Sequence, residues 1–176
     1  MPELDQLLNL ANERHIFGTK MRSVIKEASE PGIKSVVEQQ FAVARKVISY
    51  GLVPIIEPEV DIHIDDKKEA EELLHKYLWI ELNKLADNEL VMFKLTIPTV
   101  PNLYLDFMSD KRVVRVVALS GGYTMEHANY LLTQNKGLIA SFSRALAENL
   151  RVSQTDEQFD KTLDKVVTAI YKASIT

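Results

Sequence analysis

Stretches with apolar residues three and four positions apart are separated by short runs that are almost continuously apolar. The first period marks amphipathic helices; the second marks strands buried on both faces. Residues 3–13 read as a helix, with Leu4, Leu7, Leu8 and Ala11 on one side. Residues 15–22 read as a strand. Residues 33–50 are helical, since Val36, Val37, Phe41, Ala44, Val47 and Ile48 recur at helical spacing and Gly51 supplies a stop. Residues 52–60 read as a strand. Residues 65–85 read as a long helix, rich in Glu and Lys outside its stripe of Ala70, Leu73, Leu74, Tyr77 and Leu78. A strand over 90–97 leads to a short helix over 102–109. The most apolar strand, 112–120, ends at Gly121-Gly122 and is followed by a helix over 124–135. A strand over 138–143 and two helical stretches, 144–150 and 155–173, close the chain.

This order, a helix and then five βα units, predicts an α/β fold with a parallel sheet covered by helices. A doubly wound sheet and a (β/α) barrel both satisfy it. The charged residues favour the barrel. Lys20 and Arg22, Glu57 and Glu59, Lys94, Ser120 and Gly121, and Ser143 with Arg144 fall in or at the C-terminal halves of successive strands. Barrel active sites are assembled at that end from several strands.

Composition narrows the functional classes. The chain has 176 residues, 46% hydrophobic and 26% charged, without a long low-complexity segment or linker, and reads as one domain spanning 1–176. A formal net charge of -4 argues against a general nucleic-acid or membrane-surface binder, which would present a basic face. An anionic ligand would be held by local cations and backbone N–H groups. With no cysteine, disulfides and thiolate metal sites are excluded. The first residues have neither a basic nor an apolar leader region, and no apolar run approaches the ~20 residues of a membrane span. A cytoplasmic location is the expectation.

Lys94 lies inside an apolar strand, where a cation is costly; the neutral amine is also the form that attacks a carbonyl. The alternative is a lysine that reaches solvent from a sheet edge. Glu57 and Glu59, at i and i+2, point to the same side of their strand and can divide into an acid/base and a counter-ion; the alternative is a solvated pair at a strand end marked by Pro58. Lys20 and Arg22 repeat this spacing and call for an anion, either a phosphate or the two glutamates. Ser120-Gly121-Gly122 is a strand-to-helix junction where backbone can approach a phosphate, although a glycine pair is usually only a turn. Ser141 and Ser143 with Arg144 form a similar junction carrying a guanidinium, and together the two junctions match the usual phosphate site of barrels. His15, His63, His75 and His127 share no ligand spacing, so no metal site is assigned, and His75 reads as solvated on a charged helix.

Five segments in order resemble class I fructose-bisphosphate aldolase: 18–22 (Gly-Thr-Lys-Met-Arg), 53–59 (Val-Pro-Ile-Ile-Glu-Pro-Glu), 93–98 (Phe-Lys-Leu-Thr-Ile-Pro), 119–122 (Leu-Ser-Gly-Gly) and 141–146 (Ser-Phe-Ser-Arg-Ala-Leu). Residues 11–23 are similar to the bacterial branch in particular. The resemblance covers essentially the whole chain. It implies that Lys94 is the Schiff-base lysine and Glu57 the glutamate that moves protons during carbinolamine formation and breakdown. It implies that Glu59 is the neighbouring glutamate and Lys20 the lysine beside the imine. Arg22 would face the second phosphate, and Ser120, Gly121 and Arg144 the phosphate next to the ketone, with Gly122, Ser141 and Ser143 in the same region. The implied ligand is a sugar phosphate, and the implied chemistry is glycolytic and needs no metal or cofactor.

The same resemblance implies a full barrel of eight units, whereas five are present, apparently the fourth to eighth. The family's first-strand aspartate and third-strand lysine have no counterpart. Two rival expectations follow: an inactive fragment or assembly piece, self-associating or pairing with an N-terminal half, and another Schiff-base sugar-phosphate aldolase.

Overall fold

The computed structural model describes residues 3–176. Helix α1 (Leu4–Glu13) leads into strand β1 (Gly18–Ile25), then α2 (Glu30–Ser49), β2 (Val53–Val60), α3 (Lys67–Leu82) and β3 (Val91–Thr96). A 3-10 turn at Asp106–Ser109 precedes β4 (Val113–Leu119), α4 (Met125–Thr133), β5 (Ile139–Ala140), α5 (Arg144–Ala147) and α6 (Asp156–Ala173). The five strands form one parallel sheet in the order β1-β2-β3-β4-β5. A doubly wound sheet reverses its strand order at a switch point; this one does not. Strand order therefore decides what periodicity left open, and the sheet is an arc of a (β/α) barrel, with β1 and β5 at its two edges.

Local chemistry explains why the helices begin and end where they do. Ser29 caps α2 by accepting a hydrogen bond from Gly32 N–H, with Pro31 in the first turn, where no N–H is required. Ile33, Val37, Phe41, Ala44 and Val47 then form one buried stripe. Gly51, at φ 74°, takes the left-handed turn that ends the helix. Thr155 and Gln158 close a capping box at the start of α6.

The strands have two different faces. On β3, Val91, Phe93 and Leu95 are buried in the core against the helices, while Met92 and Lys94 alternate to the other side. On β2, Ile56 and Val60 join the same core, and Glu57 and Glu59 take the opposite face. Apolar side chains thus hold the helix layer, and polar ones collect inside the arc.

Of the elements whose bounds differ from those predicted, three do so for a visible reason. The first strand runs over 18–25 instead of 15–22, because His15, at φ 54°, closes the end of α1 and Ile16 and Phe17 remain exposed. The predicted helix over 102–109 is a single 3-10 turn, since Asn102 has φ 63° and interrupts any earlier helical run. The last strand keeps only two ladder residues, although Ser141 N–H still donates to Ala118 O at 2.7 Å.

Candidate active site

The inner, C-terminal side of the arc holds an open cavity of about 470 Å³. Its floor is an ionic cluster. Glu57, 3% exposed, binds two amines: its Oε2 accepts from Lys20 Nζ, and its Oε1 lies 3.1 Å from Lys94 Nζ. The parallel register places Lys20 opposite Ile55 and Arg22 opposite Glu57, so the basic pair of β1 reaches across one strand to the acidic pair of β2. Arg22 Nε donates to Glu59 Oε2 at 2.7 Å, and its Nη2 lies 2.7 Å from the same oxygen. That hydrogen bond holds the Arg22 guanidinium above its ordinary range. The two readings of Lys20 and Arg22 therefore coexist: both are salt-bridged to the glutamates, and both line the cavity.

Strand β3 brings Lys94 from the opposite side, with its side chain 18% exposed. The amine is neither sealed in the core nor released to solvent. It stands in the cavity wall, paired with a carboxylate.

The far wall comes from the ends of β4 and β5. Ser120 and Gly121 line it from β4, and Ser141, Ser143 and Arg144 from the β5 exit. Gly121 has φ 63°, and a Cβ there would lie 2.7 Å from Ile62 Cγ2, so only glycine fits. Gly122, at φ 115°, continues the turn but does not line the cavity. Arg144 makes no ion pair among the described residues. Lys20, Arg22, Lys94 and Arg144 set four basic groups against the two carboxylates Glu57 and Glu59, on a chain whose net charge is -4. A dianionic group would meet a locally positive surface with one unengaged guanidinium.

Sequence reasoning missed a second ionic cluster beside this one. Lys67 and Glu71 on α3 are 8% and 0% exposed and paired with each other. Lys67 Nζ also donates to Ile97 O and Thr99 Oγ1, each at 3.1 Å, and Thr99 N–H donates to Glu71 Oε2 at 2.8 Å. His75, expected to be solvated, is only partly exposed and lies 2.9 Å from Asp106, which also accepts from Trp79 Nε1. Among the described residues, no group of three or more His, Asp or Glu side chains has the arrangement of a metal site, and no helix is long and apolar enough to cross a membrane.

No family model matches the chain. The fructose-bisphosphate aldolase class 1 of Clostridium acetobutylicum is 58% identical over 173 residues, covering 98% of this chain and 59% of that protein. A structure of the fructose-bisphosphate aldolase of Plasmodium falciparum, solved as a ternary co-crystal with TRAP and a small-molecule inhibitor, superposes with a TM-score of 0.65. It covers 97% of this chain and 59% of that one at 20% identity, a likeness of fold. The chain thus spans about three-fifths of the length of both. Along nearly all of its own length, it is a homologue of part of a class 1 fructose-bisphosphate aldolase.

Proposed function

We propose that this chain carries the Schiff-base half of a class I fructose-bisphosphate aldolase, corresponding to the fourth to eighth units of the barrel, and that Lys94 is its nucleophile. The observation that carries the reading is the placement of Lys94 Nζ 3.1 Å from the buried carboxylate of Glu57, inside a cavity with an unengaged arginine.

With Lys20 also beside Glu57, Lys94 gives that carboxylate one proton and presents its free electron pair. It adds to the ketone carbon of fructose 1,6-bisphosphate. Glu57 passes the first proton from Lys94 to the ketone oxygen, then takes the second proton that the nitrogen loses and returns it to the resulting hydroxyl, which leaves as water. The resulting iminium accepts the electron pair of the bond between the third and fourth carbons. That bond breaks, the 4-hydroxyl gives its proton to Glu57, by then a carboxylate again, and glyceraldehyde 3-phosphate leaves an enamine of dihydroxyacetone phosphate on Lys94. Arg144, Ser120 and the Gly121 N–H bind the phosphate next to the ketone, with Gly122, Ser141 and Ser143 shaping the same corner. Arg22, steadied by Glu59, faces the second phosphate. The iminium supplies the polarisation that a metal would otherwise provide, so the reaction needs none.

The same reading gives the chain a partner. Strands β1 and β5 each present an unpaired edge, and a barrel is complete only when further strands join them. A segment supplying the first three units would do so, in a cytoplasmic, glycolytic enzyme.

The test is cleavage of fructose 1,6-bisphosphate by this chain alone and by a form continued to the full length of its relatives. The longer form is expected to cleave the substrate, to be unaffected by EDTA and to exceed the 176-residue chain by a wide margin. No cleavage by either form, or activity that EDTA removes and zinc restores, overturns the proposal.

A further inference from the structure

The regular ladder between β2 and β3 ends at the level where the chemistry is concentrated. Strands β2 and β3 pair in register at Ile55 with Met92 and Ile56 with Phe93. Beyond that, β3 stays in register with β4 from Lys94 and Val117 to Thr96 and Leu119, whereas no further register pair joins it to β2. The level of Glu57 and Lys94 is thus the last that the β2–β3 ladder reaches.

Side chains continue the connection above it. Thr96 Oγ1 accepts from Val60 N–H at 3.0 Å and donates to Val60 O at 2.8 Å, standing in for two ladder bonds. Thr96 is 1% exposed, so these bonds have no competing water. Two residues further, Pro98 has no N–H to extend any ladder, and the Ile97 carbonyl needs a donor from elsewhere. Lys67 supplies it, and Glu71 grips the following turn through Thr99 N–H. Lys67 has used all three of its donors, and both oxygens of Glu71 are engaged. None of the three residues lines the cavity.

We infer that Thr96, Lys67 and Glu71 are positioning residues for Lys94: they fix the exit of β3 to β2 and α3 and so set the distance between the Lys94 amine and Glu57. The inference rests on the aldolase reading, since it concerns the rate at which Lys94 forms its imine. A fixed amine reacts faster than one whose strand can drift by a fraction of an ångström. Substrate binding is carried by other strands and is untouched.

The experiment is borohydride trapping with dihydroxyacetone phosphate, recording both the maximal trapping rate and the half-saturating concentration. It is carried out in whichever form traps, the chain alone or its longer form. Thr96→Val keeps the shape and removes the hydroxyl; Thr96→Ser keeps the hydroxyl. Thr96→Val is expected to slow maximal trapping by about 10- to 100-fold, with the half-saturating concentration little changed, and Thr96→Ser to restore most of the rate. Lys67→Met and Glu71→Gln should shift the same parameter. If either fails to fold, the Thr96 pair decides alone. Trapping by Thr96→Val at the unsubstituted rate overturns the inference, as does an equal loss in Thr96→Val and Thr96→Ser. An unsubstituted protein that forms no adduct in either form overturns the aldolase reading itself.

Discussion

Two lysine–glutamate pairs lie within this fold, and they are built for opposite purposes. Lys67 and Glu71 sit one helical turn apart on α3, enclosed, with every donor and acceptor used. Lys94 and Glu57 meet across two strands, and Lys94 Nζ has the Glu57 carboxylate as its one ion-pair partner among the described residues. The closed pair replaces main-chain hydrogen bonds. The open pair leaves an amine facing a cavity, where something else can complete its bonding. A saturated buried ion pair resists change; one at a cavity wall with bonding capacity left is, under the proposed function, the reagent.

Exchanging the lysines breaks the comparison most sharply. Lys94→Met is expected to abolish substrate cleavage and leave the melting temperature close to that of the parent. Lys67→Met strands the Glu71 carboxylate in the core and should cost about 3–5 kcal/mol of folding stability. Denaturant titration and the cleavage assay, run on both variants, check the crossing. Two variants that lose stability alike would erase the distinction between the pairs.

A smaller effect is expected at the far wall. A guanidinium can grip a phosphate with two parallel hydrogen bonds, which an ammonium cannot copy. Arg144→Lys should raise the Michaelis constant by about tenfold, the loss of one such charge-assisted contact, and leave imine formation with a phosphate-free ketone unchanged. Equal affinity of variant and parent for dihydroxyacetone phosphate would remove Arg144 from the phosphate site.

The smallest effect concerns a third buried carboxylate. Glu81, like Glu57, is held between two basic side chains, here Arg45 and Lys84. Burial pushes the Glu81 carboxyl up, but the hydrogen bonds from Lys84 and then Arg45 outweigh it and hold it below its ordinary range. A depressed carboxylate stabilises the fold above the unfolded-state value and loses that contribution as pH falls through the folded-state value. Stability should therefore decline on acidification below about pH 4.5, and Glu81→Gln should flatten that part of the curve. An unchanged acid limb in Glu81→Gln denaturation would contradict this.

The open pair was legible in the sequence and the closed one was not, for a physical reason. Lys94 interrupts an apolar strand, and a charge in an apolar run is conspicuous. Lys67 and Glu71 stand in a helix crowded with Lys and Glu, where an i, i+4 pair ordinarily marks a solvated face. The signal was one of phase: Lys67 and Glu71 share a stripe with Ala70, Leu74 and Leu78, all of them buried. Strand identity was readable because outward positions such as Phe93 and Ile56 are large and apolar; strand order was not, and only the charged residues at the strand ends pointed to a barrel. Element ends were less so. Nothing in residues 23–25 announces a strand, because on an edge facing a cavity Val24 can remain exposed. Where the ladder between β2 and β3 ends depends on register, which no periodicity carries. The two bonds from Thr96 to Val60 beyond it are nothing that a threonine in a strand advertises.

Everything proposed for this chain depends on Lys94 as the covalent nucleophile. Borohydride reduction in the presence of dihydroxyacetone phosphate, followed by peptide mapping, tests it directly. One adduct per chain is expected, on the peptide containing Lys94 and absent from Lys94→Met. An adduct on Lys20 or Lys67, with Lys94 unmodified, would contradict the account.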